Sequence, residues 1–151
     1  MPLKEQIQAE LKAALLSGSR FDADVLRGLK AAILNEEVAS GKRDEGLGDE
    51  EIEKVVAREV KKRAESIKLY EENSRPELAE NERNEIAILE RYLPAQMSEA
   101  ELEALVDETI ASLSEVTMQQ MGQVIGAVKA KAGNAADGAL IAQLVKAKLS
   151  K

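Results

Sequence analysis

Two glycines and two lysines share the segment "MGQVIGAVKAK", Met121 to Lys131, and no other stretch of the chain is as suggestive of binding chemistry. Gly122 and Gly126 stand four apart in a helical pattern, which puts them on one face of a helix. Each glycine inside a helix costs roughly 1 kcal/mol against alanine, because it loses more backbone freedom on folding. A face stripped of side chains lets something approach the backbone closely, either a neighbouring helix or a ligand. Close helix packing is the reading the spacing favours, and a ligand contact is the alternative. Lys129 and Lys131 follow, and lysines neutralise phosphates. The loop "GNAADG", Gly133 to Gly138, then offers glycine and asparagine for a left-handed turn, Asp137 for a helix cap and amides that attract anions. An ordinary helix connection is the plainer reading of that loop.

Other chemistry finds less support. Histidine and cysteine are both absent, which removes imidazole bases, triads, thiolate metal sites and disulfides. Carboxylates are abundant, yet no pair sits in an apolar setting that would raise a pKa for acid–base work. "GLGDEE" lacks a preceding strand and a third glycine, so it is no dinucleotide fingerprint, and the loop acids Asp44, Glu45, Asp49, Glu50 and Glu51 lack calcium-loop spacing. The cluster Lys61, Lys62, Arg63 could meet a phosphate backbone, but with Glu59 and Glu65 nearby a solvated helix face is the better default. No catalytic residue, cofactor or metal is expected.

Composition sets the frame for these residues. The 151 residues are 44% hydrophobic, enough to bury an interior, with three aromatics: Phe21, Tyr70 and Tyr92. A core of Ala, Leu, Ile and Val with so few rings favours helices and argues against base stacking. No apolar run approaches the ~20 residues needed to cross a bilayer and no secretory segment is evident, so a cytoplasmic protein with no membrane partner is expected. Net charge is −7, but Met118 to Lys151 has a local balance of +4, directly after an acidic stretch from Pro94 to Thr117.

The helical period runs nearly throughout. Leu3, Ile7, Leu11, Ala14 and Leu15 mark a first helix ended by Ser17-Gly18-Ser19, and Asp22 or a neighbour caps a second carrying Val25, Leu29, Ala32 and Ile33. "SGKRDEGLGDE", Ser40 to Glu50, reads as a mobile loop. A long helix follows from Asp49 with Ile52, Val56, Val60, Ile67 and Tyr70 on its apolar face. Ser74 and Glu77 form a capping-box pattern around Pro76, opening a helix with Leu78, Ile86, Leu89 and Tyr92 that stops before Pro94. Beyond it, Ser98 with Glu101 and Thr117 with Gln120 repeat the capping box, and Asp137 caps a last helix bearing Leu140, Ile141, Leu144 and Val145. The expected fold is all-α in two helical subdomains, residues 1–93 and 94–151.

With Tyr92-Leu93-Pro94 before the Ser98 cap, Met121-Gly122 with Gly126, and Ala136-Asp137-Gly138 before an apolar helix, the chain closely resembles the GatB/YqeY family over almost its whole length. The resemblance implies an N-terminal portion with a long-helix hairpin and a C-terminal three-helix tail. Relatives include the tail of the B subunit of the tRNA-dependent amidotransferase, which helps present misacylated tRNA. Free-standing members are labelled amidotransferase-like by that kinship. The subunit's catalytic cradle is not represented here, so the resemblance implies a non-catalytic tRNA-binding accessory. Carried over, the RNA-facing positions are Gly122, Gly126, Lys129, Lys131, Asn134 and Gly138. Relatives often place lysines before Ala-Asp-Gly where this chain has Gly133, Asn134 and Ala135, which implies fewer phosphate contacts. The rival expectation is a protein-interaction module in which the acidic N-terminal portion grips a protein partner.

Overall fold

The computed structural model describes residues 1–113 and 116–150, and among them finds seven α-helices, three short 3-10 turns and no strand. The fold is all-α. It divides into two compact units, Met1–Leu93 and Pro94–Lys151, each with its own hydrophobic core.

In the first unit, α1 (Leu3–Ser17) and α2 (Arg20–Ala39) form a helical hairpin. Gly18 makes the turn at φ 78°, a left-handed conformation that glycine adopts without penalty, and its amide donates to the Ala14 carbonyl. Ser19 takes the N-cap position of α2, so Asp22 sits in the first turn instead of capping it. Ile7 and Leu11 of α1 and Leu26, Leu29 and Ile33 of α2 are buried, whereas Leu15 points outward.

The loop from Ser40 to Gly48, read from its glycines and charges as mobile, is tied down near both ends. Leu47 is buried, and its amide donates to the Glu37 carboxylate at 3.0 Å. Lys42 adds an ion pair to Glu51 of α3. Composition exposed the charges of this loop but hid its one anchoring leucine.

α3 (Asp49–Glu72) and α4 (Pro76–Leu89) make a long antiparallel hairpin. Ile52, Val55 and Val56 bury the start of α3, and Ala79, Ile88 and Leu89 bury α4, while Leu78 stays exposed. The expected Ser74 capping box is not formed. Ser74 stands at φ 59° in the turn, Arg75 takes the N-cap position without a side-chain bond, and Pro76, which has no amide to satisfy, opens the helix. A 3-10 turn at Glu90–Tyr92 ends the unit, with the Tyr92 hydroxyl donating to Glu10 of α1.

The second unit packs α5 (Glu99–Ala111), α6 (Met121–Ala132) and α7 (Gly138–Leu149) around Leu102, Val106, Val124, Val128, Ile141 and Val145. Here the caps stand as their patterns predict. Ser98 Oγ accepts from the Glu101 amide at 3.1 Å while the Glu101 carboxylate accepts from Ser98 N–H. Gln120 Oε1 accepts from the Thr117 amide at 2.7 Å, and Asp137 Oδ1 accepts from Ala139 N–H at 3.2 Å.

Candidate functional site

Val124, Val128 and Ala132 turn α6 into the core of the second unit, and that choice fixes where its glycines go. Gly122 and Gly126 face outward, and a Cβ added at either would meet nothing within 4 Å. This overturns the close-packing reading of the pair: among the described residues no helix of the unit lies against them. The spacing correctly put both on one face, but it could not say which face the valines would bury.

At about 100° per residue, Gly122, Gly126 and Lys129 fall within about 60° of one another around α6. The Lys129 side chain then reaches across to the start of α7, where a Cβ on Gly138 would stand 3.2 Å from Lys129 Cε and 3.3 Å from Nζ. Gly138 thus leaves room for that lysine, and an ammonium comes to rest at a helix N-terminus. Of the six expected residues, Gly122, Gly126 and Lys129 thus share one face of α6, and Lys129 alone joins that face to Gly138 of α7.

Lys131 is not among them. It is exposed, but two residues on from Lys129 places it about 160° round the helix, on the opposite flank. Asn134 belongs to the connection instead, half-buried in the 3-10 turn at Gly133–Ala135. Its carbonyl accepts from Gln96 Nε2 at 3.1 Å, and the neighbouring Ala135 carbonyl accepts from the Met97 amide at 2.8 Å. Gln96 and Met97 therefore hold the loop in place, a role that no local pattern signals because the partners lie 38 residues apart.

Charge in the unit is partitioned. Lys148 pairs with Glu103 at 2.8 Å and Asp107 at 3.2 Å, and those carboxylate hydrogen bonds raise its pKa. Lys129, Lys131 and Lys146 have no ion-pair partner among the described residues. At the start of α7 the Asp137 carboxylate already occupies the Ala139 amide, so that amide is not open to an incoming anion. What the face offers is exposed backbone at Gly122 and Gly126 and the ammonium of Lys129.

The first unit holds ionic clusters of a different kind. Arg63 lies 3.4 Å from Glu85, 4.0 Å from Glu82 and 3.9 Å from Glu59, and Lys62 pairs with Glu59 at 3.4 Å. Lys61 and Lys62 stay exposed, as expected of a solvated face, whereas Arg63 is largely covered among Glu59, Glu82 and Glu85, which the expectation of a solvated cluster did not foresee. Burial, together with the adjacent Glu85, raises the pKa of Glu82, so one carboxylate does have the raised pKa that the sequence did not suggest. No group of three or more His, Asp or Glu among the described residues is placed to hold a metal ion. No described helix is long and apolar enough to cross a membrane.

Comparison with known proteins adds the remaining observation. The family described as Yqey-like protein matches residues 4–149, nearly the full length. The chain belongs to the YqeY-like family. Similar curated proteins carry the name "Altered inheritance of mitochondria protein 41, mitochondrial". The protein of Kluyveromyces lactis is 32% identical over 125 residues, 81% of this chain and 66% of that protein. That of Clavispora lusitaniae is 25% identical over 126 residues, 83% of this chain and 71% of its own length. A third, from Lachancea thermotolerans, is 29% identical over 112 residues, and the match spans 58% of it. In this YqeY-like chain the α6–α7 face is therefore part of the family's matched region.

Proposed function

We propose that this YqeY-like chain is a non-catalytic tRNA-binding accessory protein, with the phosphate backbone lying against the α6–α7 face of the second unit. One observation carries the reading: Gly122 and Gly126 are bare toward solvent, with Lys129, which has no ion-pair partner among the described residues, beside them and reaching over Gly138. Two glycines in an open helix face bring no packing advantage to set against their cost, whereas a ligand that needs the backbone does account for them. A lysine ammonium is a point charge suited to phosphate, and recognition would rest on RNA shape, since no ring is present in the unit to stack a base. Kinship with the tRNA-dependent amidotransferase B subunit, implied by the sequence resemblance, supplies the RNA class. The reading requires no particular compartment. It fits the cytoplasmic setting expected from sequence and equally the mitochondrial one that the relatives' names state.

Charge reversal at single positions tests it. Lys129→Glu is expected to weaken tRNA binding by roughly tenfold or more and to lower the salt slope by about one, because one phosphate contact is lost. Lys131→Glu, on the other flank, is expected to do much less. Equal effects, or none, measured by filter binding with helicity unchanged, would count against the face proposed.

A further inference from the structure

The first unit carries a second surface, on the hairpin of α1 and α2, that the RNA reading does not use. A groove of about 550 Å³ runs along the seam between the two helices, floored by Ile7 and Leu11 of α1 and by Ile33 and Leu34 of α2. It meets a second hollow of about 410 Å³ at Arg27, where Ala14, Leu15 and Ala23 continue the apolar floor. Leu34 is 46% exposed and Leu15 is 49% exposed. Single leucines on a surface are unremarkable, but these two lie in one continuous seam. From Lys4 to Leu15 the seam is about 17 Å long at 1.5 Å per residue, room for three turns of a helix.

Its rim has the opposite sign to the chain. Lys4, Arg20, Arg27 and Lys30 line the two hollows against only two carboxylates, Asp24 and Glu37, in a protein of net charge −7. Glu37 is buried and bonded to Lys4, and Asp24 lies 3.6 Å from Arg27. Arg20 and Lys30 have no ion-pair partner among the described residues. An apolar floor between cationic rims is complementary to a helix with apolar residues on one side and carboxylates flanking them. Nucleic acid fits less well, because phosphates make no use of leucines and neither hollow is lined by a ring for a base to stack on.

We propose that the α1–α2 groove docks an acidic amphipathic helix of a partner protein, its apolar stripe on Leu34 and Leu15 and its carboxylates against Lys30, Arg27 and Arg20. The site is separate from the α6–α7 face, and each can fail without the other.

The test uses the full chain and a labelled synthetic helix of Leu and Glu, with Leu at i, i+3, i+4 and i+7, beside a counterpart carrying Lys for every Glu. Fluorescence polarisation is expected to show saturable binding of the acidic helix with a preference of about tenfold or more over the basic one at low salt. Arg27→Glu with Lys30→Glu should invert that preference, and Arg27→Gln with Lys30→Gln should abolish it. Leu34→Ser should weaken binding of the acidic helix with the circular dichroism spectrum unchanged. Failure of the acidic helix to bind, equal binding of both helices, or a preference indifferent to Arg27 and Lys30 would overturn the proposal. So would loss of single-stranded RNA binding in the double Glu variant without any peptide binding, which would assign the groove to RNA.

Discussion

Glu37 is the residue on which the first unit's loop depends. It is 2% exposed, accepts from Lys4 Nζ at 2.7 Å and from the Leu47 amide at 3.0 Å, and the lysine hydrogen bond chiefly holds its pKa below the ordinary value. A carboxylate whose pKa is depressed by folding stabilises the fold above its unfolded pKa, and the contribution fades as pH falls through the folded value. Glu37→Gln is therefore expected to lower stability by about 1–2 kcal/mol at neutral pH. In urea titrations the gap from wild type should narrow below the ordinary glutamate range, and a gap independent of pH would contradict the assignment. Gly126 gives the opposite kind of prediction. Its Cβ position is open, so Gly126→Ala should stabilise α6 by about 0.5–1 kcal/mol and raise the melting temperature. A glycine needed for helix packing would instead be destabilised by the added methyl. The segment Met121 to Lys131 showed that its glycines share a face, but whether a neighbour covers that face depends on Val124 and Val128 meeting α5 and α7, which no window of sequence contains.

At the level of helices, capping separates what was legible from what was not. Ser98, Thr117 and Asp137 cap as their patterns predict because each side chain needs only an amide two or three residues ahead. The same pattern at Ser74 fails because Pro76 fixes the first helical position and Ser74 adopts the left-handed turn instead. Ser98→Ala is expected to cost about 1 kcal/mol and to speed amide exchange in α5 by roughly fivefold. Exchange rates unchanged in α5 would mean the box contributes nothing. Pairings between segments far apart in the chain were beyond reach for a related reason: Lys4 with Glu37, Tyr92 with Glu10 and Gln96 with Asn134 join residues 33, 82 and 38 positions apart. Burial and the Glu10 carboxylate together push the Tyr92 phenol above its ordinary pKa, so that pair is held across the physiological range with the proton on the phenol.

For the whole molecule, charge is what distinguishes the two readings of function. A chain of net charge −7 should be repelled by nucleic acid unless a local cationic face prevails at short range, and screening shortens that range to about 8 Å at physiological salt. In the second unit Lys129, Lys131 and Lys146 have no ion-pair partner among the described residues, and Lys151, which shares in the +4 balance of the tail, lies outside the described residues. Overall acidity was plain in the composition, but the separation of Lys148, held by Glu103 and Asp107, from Lys129, left open, required the fold. The most direct test is binding of the purified chain to bulk tRNA and to a DNA duplex of similar charge, titrated over salt. The account predicts a preference for tRNA that persists near physiological ionic strength, with a shallow slope reflecting few phosphate contacts. Binding that is equal for the two polymers and erased by salt, or no binding at all, would contradict it.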